Sequence, residues 1–499
     1  MGDRSLHDNQ LRTKELLERP WRMLVGGELV ASQNGTTFET ANPATGEPLA
    51  VVPFAGASDV DRAVTCAETA FPAWRNVPVV ERSRLVHELV ARLQASAADL
   101  GLLDAVDSGN PVTAMVRDVE LSAALSTYMA GAALEVKGTT VPASAEHLHL
   151  TIREPYGVVG RIIAYNHPIL FASHKIVPPL LMGNTVVLKA PEQAPLAPLL
   201  LGELIREVFP PGVVNIVTGD GPTTGDALVR HPRVKRIALI GGVDTGMRIQ
   251  HAAAEVAVKR VSLELGGKNA MIVLPDADLD AAVTGAVAGM NFSWSQGQSC
   301  GSTSRLFLHD SIHDAFVERL VDRVGQLRIG DPLDPDTEMG CLISPEHHDR
   351  VMGYVASGLE EGAHLATGGR PPAGEIFARG CFLAPTVFTG VTDGMRIARE
   401  EIFGPVLCVL RWHDVDEVVR RANGLQFGLT AAIWTRDVDA ALRMARAVDA
   451  GYVWINGSSR HFPGVPFGGH RNSGTDSEES IDELLSFTEQ KSINVVLSR

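Results

Sequence analysis

"NTVVLKAPEQAPLAPLLLGELIREVFPPGVVNIVTG" occupies positions 184–219 and reads as a strand, a helix and a second strand. "NTVVLKA" (184–190) is short and β-branched, a composition that suits a pleated, buried surface. Leu196, Leu199, Leu200, Leu204, Ile205 and Val208 come next at helical spacing, and "PPG" (210–212) stops the helix. "VVNIVTG" (213–219) is again a strand. Such a unit implies a parallel sheet with helices on both faces.

The same rhythm extends outward in both directions. "VVGRIIAY" (158–165) is a strand before the unit. After it come a predicted helix (222–230), strand "VKRIALI" (234–240), helix (244–257) and strand "KRVSLEL" (259–265). The alternation resumes with "NAMIVL" (269–274), a helix from Leu279, strand "SRLFLH" (304–309) and a helix at 312–327. This second set predicts another α/β domain. Residues 57–135 read as long helices rich in Ala and Leu.

One stretch breaks the pattern. In "HLHLTIRE" (147–154), Leu148, Leu150 and Ile152 face one way, and His147, His149, Thr151 and Arg153 the other. That predicts a half-buried antiparallel strand, an arm outside the parallel sheets. The end, "FTEQKSINVVLSR" (487–499), is also strand-like. Strands of this kind can add to a partner subunit's sheet.

The totals narrow the function classes. A chain of 499 residues predicts two or three domains. Its 44 basic and 59 acidic residues leave a formal charge of −15, which gives little help to nucleic-acid or anionic-membrane binding. Five scattered cysteines (Cys66, Cys300, Cys341, Cys381, Cys408) argue against a disulfide scaffold and fit a reducing compartment. The first 20 residues are polar, without a secretory pattern, and Leu6 breaks the myristoylation motif. No apolar run is long enough to span a bilayer, so the cytoplasm is expected. No metal site is expected; the remaining histidines, such as His347–His348, lack metal-ligand spacing and read as surface residues.

Chemistry is carried by three strand-end or loop segments. "SWSQGQSCGSTSR" (293–305) places Cys300 in a small, polar, turn-like setting, where a cysteine built for packing would not sit. A thiolate is a strong nucleophile. "SLELGGKN" (262–269) puts Glu264 before a Gly-Gly turn, and "AYNHP" (164–168) puts Asn166 at a strand end. Strand carboxyl ends line the ligand crevice of open α/β folds. A nucleophile, a carboxylate base and an amide donor there suit acyl transfer.

The order of these segments resembles the aldehyde dehydrogenase superfamily of NAD(P)-dependent enzymes, in its non-acylating branch. The likeness runs from "NPATGE" (42–47) to "PFGGHRNSG" (466–474), through "GNTVVLKAPEQAP" (183–195), "PPGVVNIVTGDGPTTG" (210–225), "ELGGK" (264–268), "GQSC" (297–300) and "EEIFGPV" (400–406). It implies a Rossmann-like cofactor domain (1–139 and 157–264), a catalytic domain (265–479) and a small β bridging element (140–156 and 480–499) that joins subunits into a homodimer or homotetramer. It also implies catalytic Cys300, Glu264 and Asn166, with Lys175 and Glu478 as a proton-relaying pair. Family members that pass the acyl group to coenzyme A usually lack the glutamate, so Glu264 implies hydrolysis to a free acid.

For the cofactor, the likeness implies Lys189 and Glu192 at the adenosine ribose, Gly221, Gly225, Gly241 and Gly242 near the pyrophosphate, and Leu265, Glu401 and Phe403 at the nicotinamide side. A carboxylate at the ribose repels a 2′-phosphate, which favours NAD over NADP. "GDGPTTG" is not the common dinucleotide fingerprint. Ile240-Gly241-Gly242 replaces the usual Thr-Gly-Ser, Ser295 replaces the usual Asn, and "TDSEES" (475–480) departs from the usual C-terminal run. With Ser295 there, and a slightly longer gap between Glu264 and Cys300 than in common members, the helix before Cys300 is expected to be offset or bulged.

Substrate-tunnel positions carry His167, Phe171, His174, Ser299, Gly301, Arg460, His461 and Phe467. Three histidines and an arginine imply a polar aldehyde, carboxylate-bearing or hydroxylated. Two rival classes stay open: a thiol hydrolase using Cys300 with a histidine, and a catalytically silent relative acting as a binding or structural protein.

Overall fold

The computed structural model describes residues 5–497. Two seven-stranded sheets organise it. In the first, the order is Arg260–Glu264, Val234–Ile240, Val158–Ile162, Thr185–Lys189, Val214–Val217, then Met23–Val25 and Glu28–Val30. The first five strands are parallel, and the last two form an antiparallel hairpin at the edge. In the second the order is His364–Thr367, Thr386–Thr389, Val406–Trp412, Arg305–His309, Ala270–Val273, Thr430–Trp434, Tyr452–Ile455, parallel apart from the first strand.

Thr185–Lys189 and Ala270–Val273 are buried along their whole length, as continuous apolar strands in parallel sheets should be. Their side chains alternate between two cores. Val186 and Leu188 join Leu89, Leu103 and Leu200 on one face, while Val187 joins Val60, Val64 and Ile249 on the other. In the second sheet Ile272 and Phe307 go one way, and Met271, Val273 and Leu306 the other. Covering both faces leaves the strand carboxyl ends as the open edge of each sheet.

Two elements differ from the sequence expectation. Positions 222–230 are helical, but the first turn, Gly221–Gly225, is a wide π turn in which Asp226 N–H donates to the Gly221 carbonyl; the Asp220 side chain caps it, accepting from Thr223 N–H at 2.7 Å, and the α-helix Asp226–Arg230 follows. The segment from 480 begins with a helix, Ile481–Ser486, whose Leu484 enters the first core, before the strand Thr488–Val496. That strand pairs antiparallel with His147–Pro155, from Thr488↔Pro155 to Val496↔His147. The alternation predicted one covered face here. Within the chain Leu148 is 39% and Val496 74% exposed, because neither face of this small sheet is roofed by a helix. No helix among the described residues is long and apolar enough to cross a membrane.

Candidate active site

Cys300 comes after a single helical turn, Phe292–Ser295, bracketed by Asn291 (φ 54°) and Gln296 (φ 53°) in left-handed conformations. Gly297 is left-handed too (φ 73°), and a Cβ there would lie 2.4 Å from the Gly404 carbonyl oxygen. The chain is thus pressed against its neighbour and turned sharply just before the cysteine. Asn269 clamps the segment from Cys300 to Ser302: its Nδ2 donates to the carbonyls of Cys300 (2.7 Å) and Ser302 (3.0 Å), and its Oδ1 accepts from Thr430 N–H. Burial, reinforced by Glu401 and Glu264, pushes the Cys300 thiol up to about 12. The resting sulfur is therefore a thiol that needs a base or a stabilised product.

Asn166 is buried just beyond strand Val158–Ile162. Asn110 Nδ2 donates to its backbone carbonyl at 2.9 Å, while its side-chain amide has no partner among the described residues. Its neighbour His167 is fixed by Asp118: His167 Nδ1 lies 2.7 Å from Asp118 Oδ2, and Trp294 Nε1 donates to Asp118 Oδ1 at 2.7 Å. The His167 and Trp294 rings meet edge-on, with centroids 5.1 Å apart, and Phe171 meets His167 at 5.8 Å. One buried carboxylate thus ties the Asn166 loop to the turn preceding Cys300.

Glu264 ends strand Arg260–Glu264 with both carboxylate oxygens buried and unpartnered. Such burial disfavours the charged form. Burial, then Glu478, raises its carboxyl well above the ordinary range, against the pull of Lys175. Beside it lies an ionic cluster. Lys175 Nζ sits 2.8 Å from Glu478 Oε2 and 3.7 Å from Glu483 Oε2. Arg161 reaches Glu478 Oε1 at 3.2 Å and Glu483 Oε1 at 3.4 Å, and its Nε donates to the Lys175 carbonyl at 2.9 Å. Burial would raise Glu478, but Lys175 and Arg161 outweigh it and hold that carboxyl low. Burial would lower Lys175, but Glu478 and its neighbours hold the ammonium high. Lys175 and Glu478 are therefore a buried ion pair, not two surface charges.

The remaining candidates lie along the carboxyl edge of the first sheet. Lys189 ends its strand, with Nζ 2.5 Å from Glu192 Oε2. A Cβ on Gly221 or Gly242 would meet nothing within 4 Å, so both border open space, whereas Gly225 and Gly241 would touch neighbours. Gly242 precedes helix Val243–Val256 without a side-chain cap, leaving its first N–H groups to an anion. The Leu265 N–H donates to the Ser473 carbonyl at 2.9 Å, and the Leu265 carbonyl accepts nothing among the described residues. Glu401 Oε1 accepts from Gly267 N–H at 2.9 Å, and a Cβ on Gly266 would collide with Glu401 Oε2 at 2.0 Å. The Gly-Gly pair after Glu264 exists for that approach. Burial pushes Glu401 up to about 7, against the bond from Gly267.

Phe403 is left-handed (φ 57°), and His347 Nε2 lies 2.6 Å from its carbonyl oxygen. This corrects the surface reading of His347. It faces inward from helix Pro345–Glu360 against Phe403 and Tyr165, and burial lowers it to about 4.

The tunnel candidates divide into two groups. Arg460 and His461 line a cavity of about 460 Å³ together with Trp294 and Asn291. The His461 ring lies tilted against Phe467, centroids 4.6 Å apart, and its Nδ1 lies 3.0 Å from both Glu479 oxygens. Ser299 is half-buried beside Cys300. His174 is not on that cavity; it is 1% exposed, with Nδ1 3.4 Å from Ser126 Oγ and Nε2 unpartnered, and burial holds it neutral.

Residues 29–493 match the aldehyde dehydrogenase family. The chain belongs to that family. Among its relatives, aldehyde dehydrogenase tropH of Talaromyces stipitatus is 48% identical over 466 residues, covering 92% of this chain and 90% of the relative. Human retinaldehyde dehydrogenase 3 is 41% identical, covering 95% and 93%. An NAD+ complex of a Bacillus cereus aldehyde dehydrogenase superposes with a TM-score of 0.94 at 38% identity, covering 98% and 99%. The Pseudomonas syringae indole-3-acetaldehyde dehydrogenase AldA, bound to NAD+ and IAA, gives 0.96 at 35%, covering 99% and 100%.

Several residues of this aldehyde dehydrogenase site carry no local sequence signal. Asp118, Arg161, Tyr165 and Glu483 act through partners far away in sequence; Asp118 and Trp294 are 176 positions apart. Only the unusual "TDSEES" run marked the neighbourhood of Glu479.

Proposed function

We propose that this family member oxidises an aldehyde to its carboxylic acid with NAD. One observation carries the reading: Glu264, near enough to raise the half-buried Cys300 thiol, and Asn166, whose loop Asp118 ties to the turn before Cys300, are buried polar side chains without a side-chain hydrogen-bond partner among the described residues. Such groups are costly unless a ligand or intermediate satisfies them.

In this reading Cys300 releases its thiol proton to solvent water as Sγ attacks the aldehyde carbon, which gives a tetrahedral thiohemiacetal. The Asn166 side-chain N–H and the Cys300 backbone N–H hold its oxyanion; one such donor is worth about 3 kcal/mol of barrier. NAD, when bound, supplies the hydride acceptor that turns the thiohemiacetal into a thioester. Glu264 then takes a proton from the water that hydrolyses the thioester. Its raised carboxyl suits it to accept that proton, and the Lys175–Glu478 pair passes the proton onward. The residues fit the cofactor: the uncapped helix after Gly242 and the free edge at Gly221 suit a pyrophosphate, Glu192 beside Lys189 a ribose diol, and the Leu265 carbonyl, Glu401 and Phe403 the nicotinamide side. Glu192 would repel a 2′-phosphate and so favours NAD over NADP.

Segments 1–139 and 157–264 would form the cofactor unit and 265–479 the catalytic unit. The strands His147–Pro155 and Thr488–Val496, with Leu148 and Val496 exposed, would join a homodimer or homotetramer. The free, scattered cysteines fit the cytoplasm.

Formation of NADH on an aldehyde panel tests the reading, with Cys300→Ala as control. Turnover in the native chain and loss of at least about a thousandfold in the variant is expected. No NADH with any aldehyde would favour the silent relative, and NAD-independent ester hydrolysis alone would favour a thiol hydrolase.

A further inference from the structure

We propose that the substrate carries an anionic group at the end remote from the aldehyde, held by Arg117, Arg323 and Arg460. This rests on the aldehyde oxidation proposed above and adds the substrate's chemical class. The three arginines come from separate elements, helix Val112–Ala132, helix His313–Gly325 and the loop after strand Tyr452–Ile455, and converge on the cavity of about 460 Å³. None of their guanidinium groups has a carboxylate partner among the described residues. No Asp or Glu lines the cavity, in a chain whose formal charge is −15. Unpaired arginines are common on surfaces, but three around one cavity without an acid is a charge arrangement that selects its occupant.

The rest of the cavity wall has a different character. Leu121, Val287 and Trp294 are apolar, and the Trp294 ring reaches His167, the neighbour of Asn166. His461 adds no free charge, because Glu479 is bound to its ring. The cavity thus offers an apolar wall and a cationic rim, and Trp294 links it through His167 to the loop that carries Asn166. Its volume lies in the usual range for small-molecule sites. Guanidinium forks pair with carboxylate or phosphate oxygens, and a chain-matched neutral aldehyde would leave them unsatisfied.

Steady-state kinetics on matched pairs tests this: para-carboxybenzaldehyde against para-tolualdehyde, and adipic semialdehyde against hexanal, with a terminally phosphorylated aldehyde as a third arm. We expect kcat/KM for at least one anionic substrate to exceed its neutral partner's by roughly tenfold or more, and that ratio to fall by about tenfold in Arg117→Gln, Arg323→Gln or Arg460→Gln, mainly through KM. The better of the carboxylate and phosphate arms identifies the anion, and its KM should rise with salt. Equal or better use of the neutral aldehydes, or a ratio unmoved by all three substitutions, overturns the inference and leaves the aldehyde oxidation standing. If no aldehyde yields NADH, both fall.

Discussion

Two charged regions of this molecule obey opposite rules. Around Glu264 the charges are buried and balanced: Arg161 and Lys175 face Glu478 and Glu483, and burial with Glu478 raises the Glu264 carboxyl. At the cavity rim, Arg117, Arg323 and Arg460 face water without acids. In a low-dielectric interior an unbalanced charge is expensive, so the inner cluster must close on itself. At the rim solvent tolerates the imbalance, and the surplus can be kept for a ligand. The inner region suits moving a proton, and the outer one suits holding an anion.

Three experiments put that contrast at risk. The largest effect is expected for Glu264→Gln. It should cut steady-state turnover by about a hundred- to ten-thousandfold while an initial burst of NADH survives, because thiohemiacetal formation does not need the base. The carboxyl is raised in the folded chain, so its basic form grows as pH rises through that raised value. Native turnover should therefore climb with pH above the ordinary carboxylate range, and the variant should lack that limb. Loss of the burst would show that Glu264 acts before the thioester.

Arg161→Met comes next. Removing a guanidinium that is 1% exposed leaves Glu478 and Glu483 short of a cation, which should cost about 3–5 kcal/mol in denaturant unfolding. A change below about 1 kcal/mol would mean that the acids simply take up protons. The smallest effect is expected at the rim. Arg117→Gln, Arg323→Gln and Arg460→Gln should each shift stability by no more than about 0.5 kcal/mol, as surface changes do. A loss near that of Arg161→Met would make the rim arginines structural and erase the contrast.

The parallel sheets could be read from sequence because buried strands are continuous apolar runs: 234–240 was expected as a strand and Val234–Ile240 forms one, while the strand expected at 158–165 stops at Ile162. Cys300, Glu264 and Asn166 could be singled out because each stands where a strand ends or in a glycine-rich turn. His347 could not. Its neighbour His348 has the same local setting, and only the phase of helix Pro345–Glu360 against Phe403 separates the buried ring from the half-buried one. The wide first turn at Gly221–Gly225 escaped as well, since hydrophobic spacing does not separate a π turn, closed by Asp226 N–H on the Gly221 carbonyl, from an α turn.

The two α/β sheets and the arm strands were legible in the chain alone, since hydrophobic period and turn chemistry are local properties, while the roles proposed for Cys300, Glu264 and Asn166 came from the likeness to a family. Folding in three dimensions settled which charges are buried together and which stay open. Electrostatic cost depends on depth and on partners brought in from distant segments, and neither is written in any short stretch of chain.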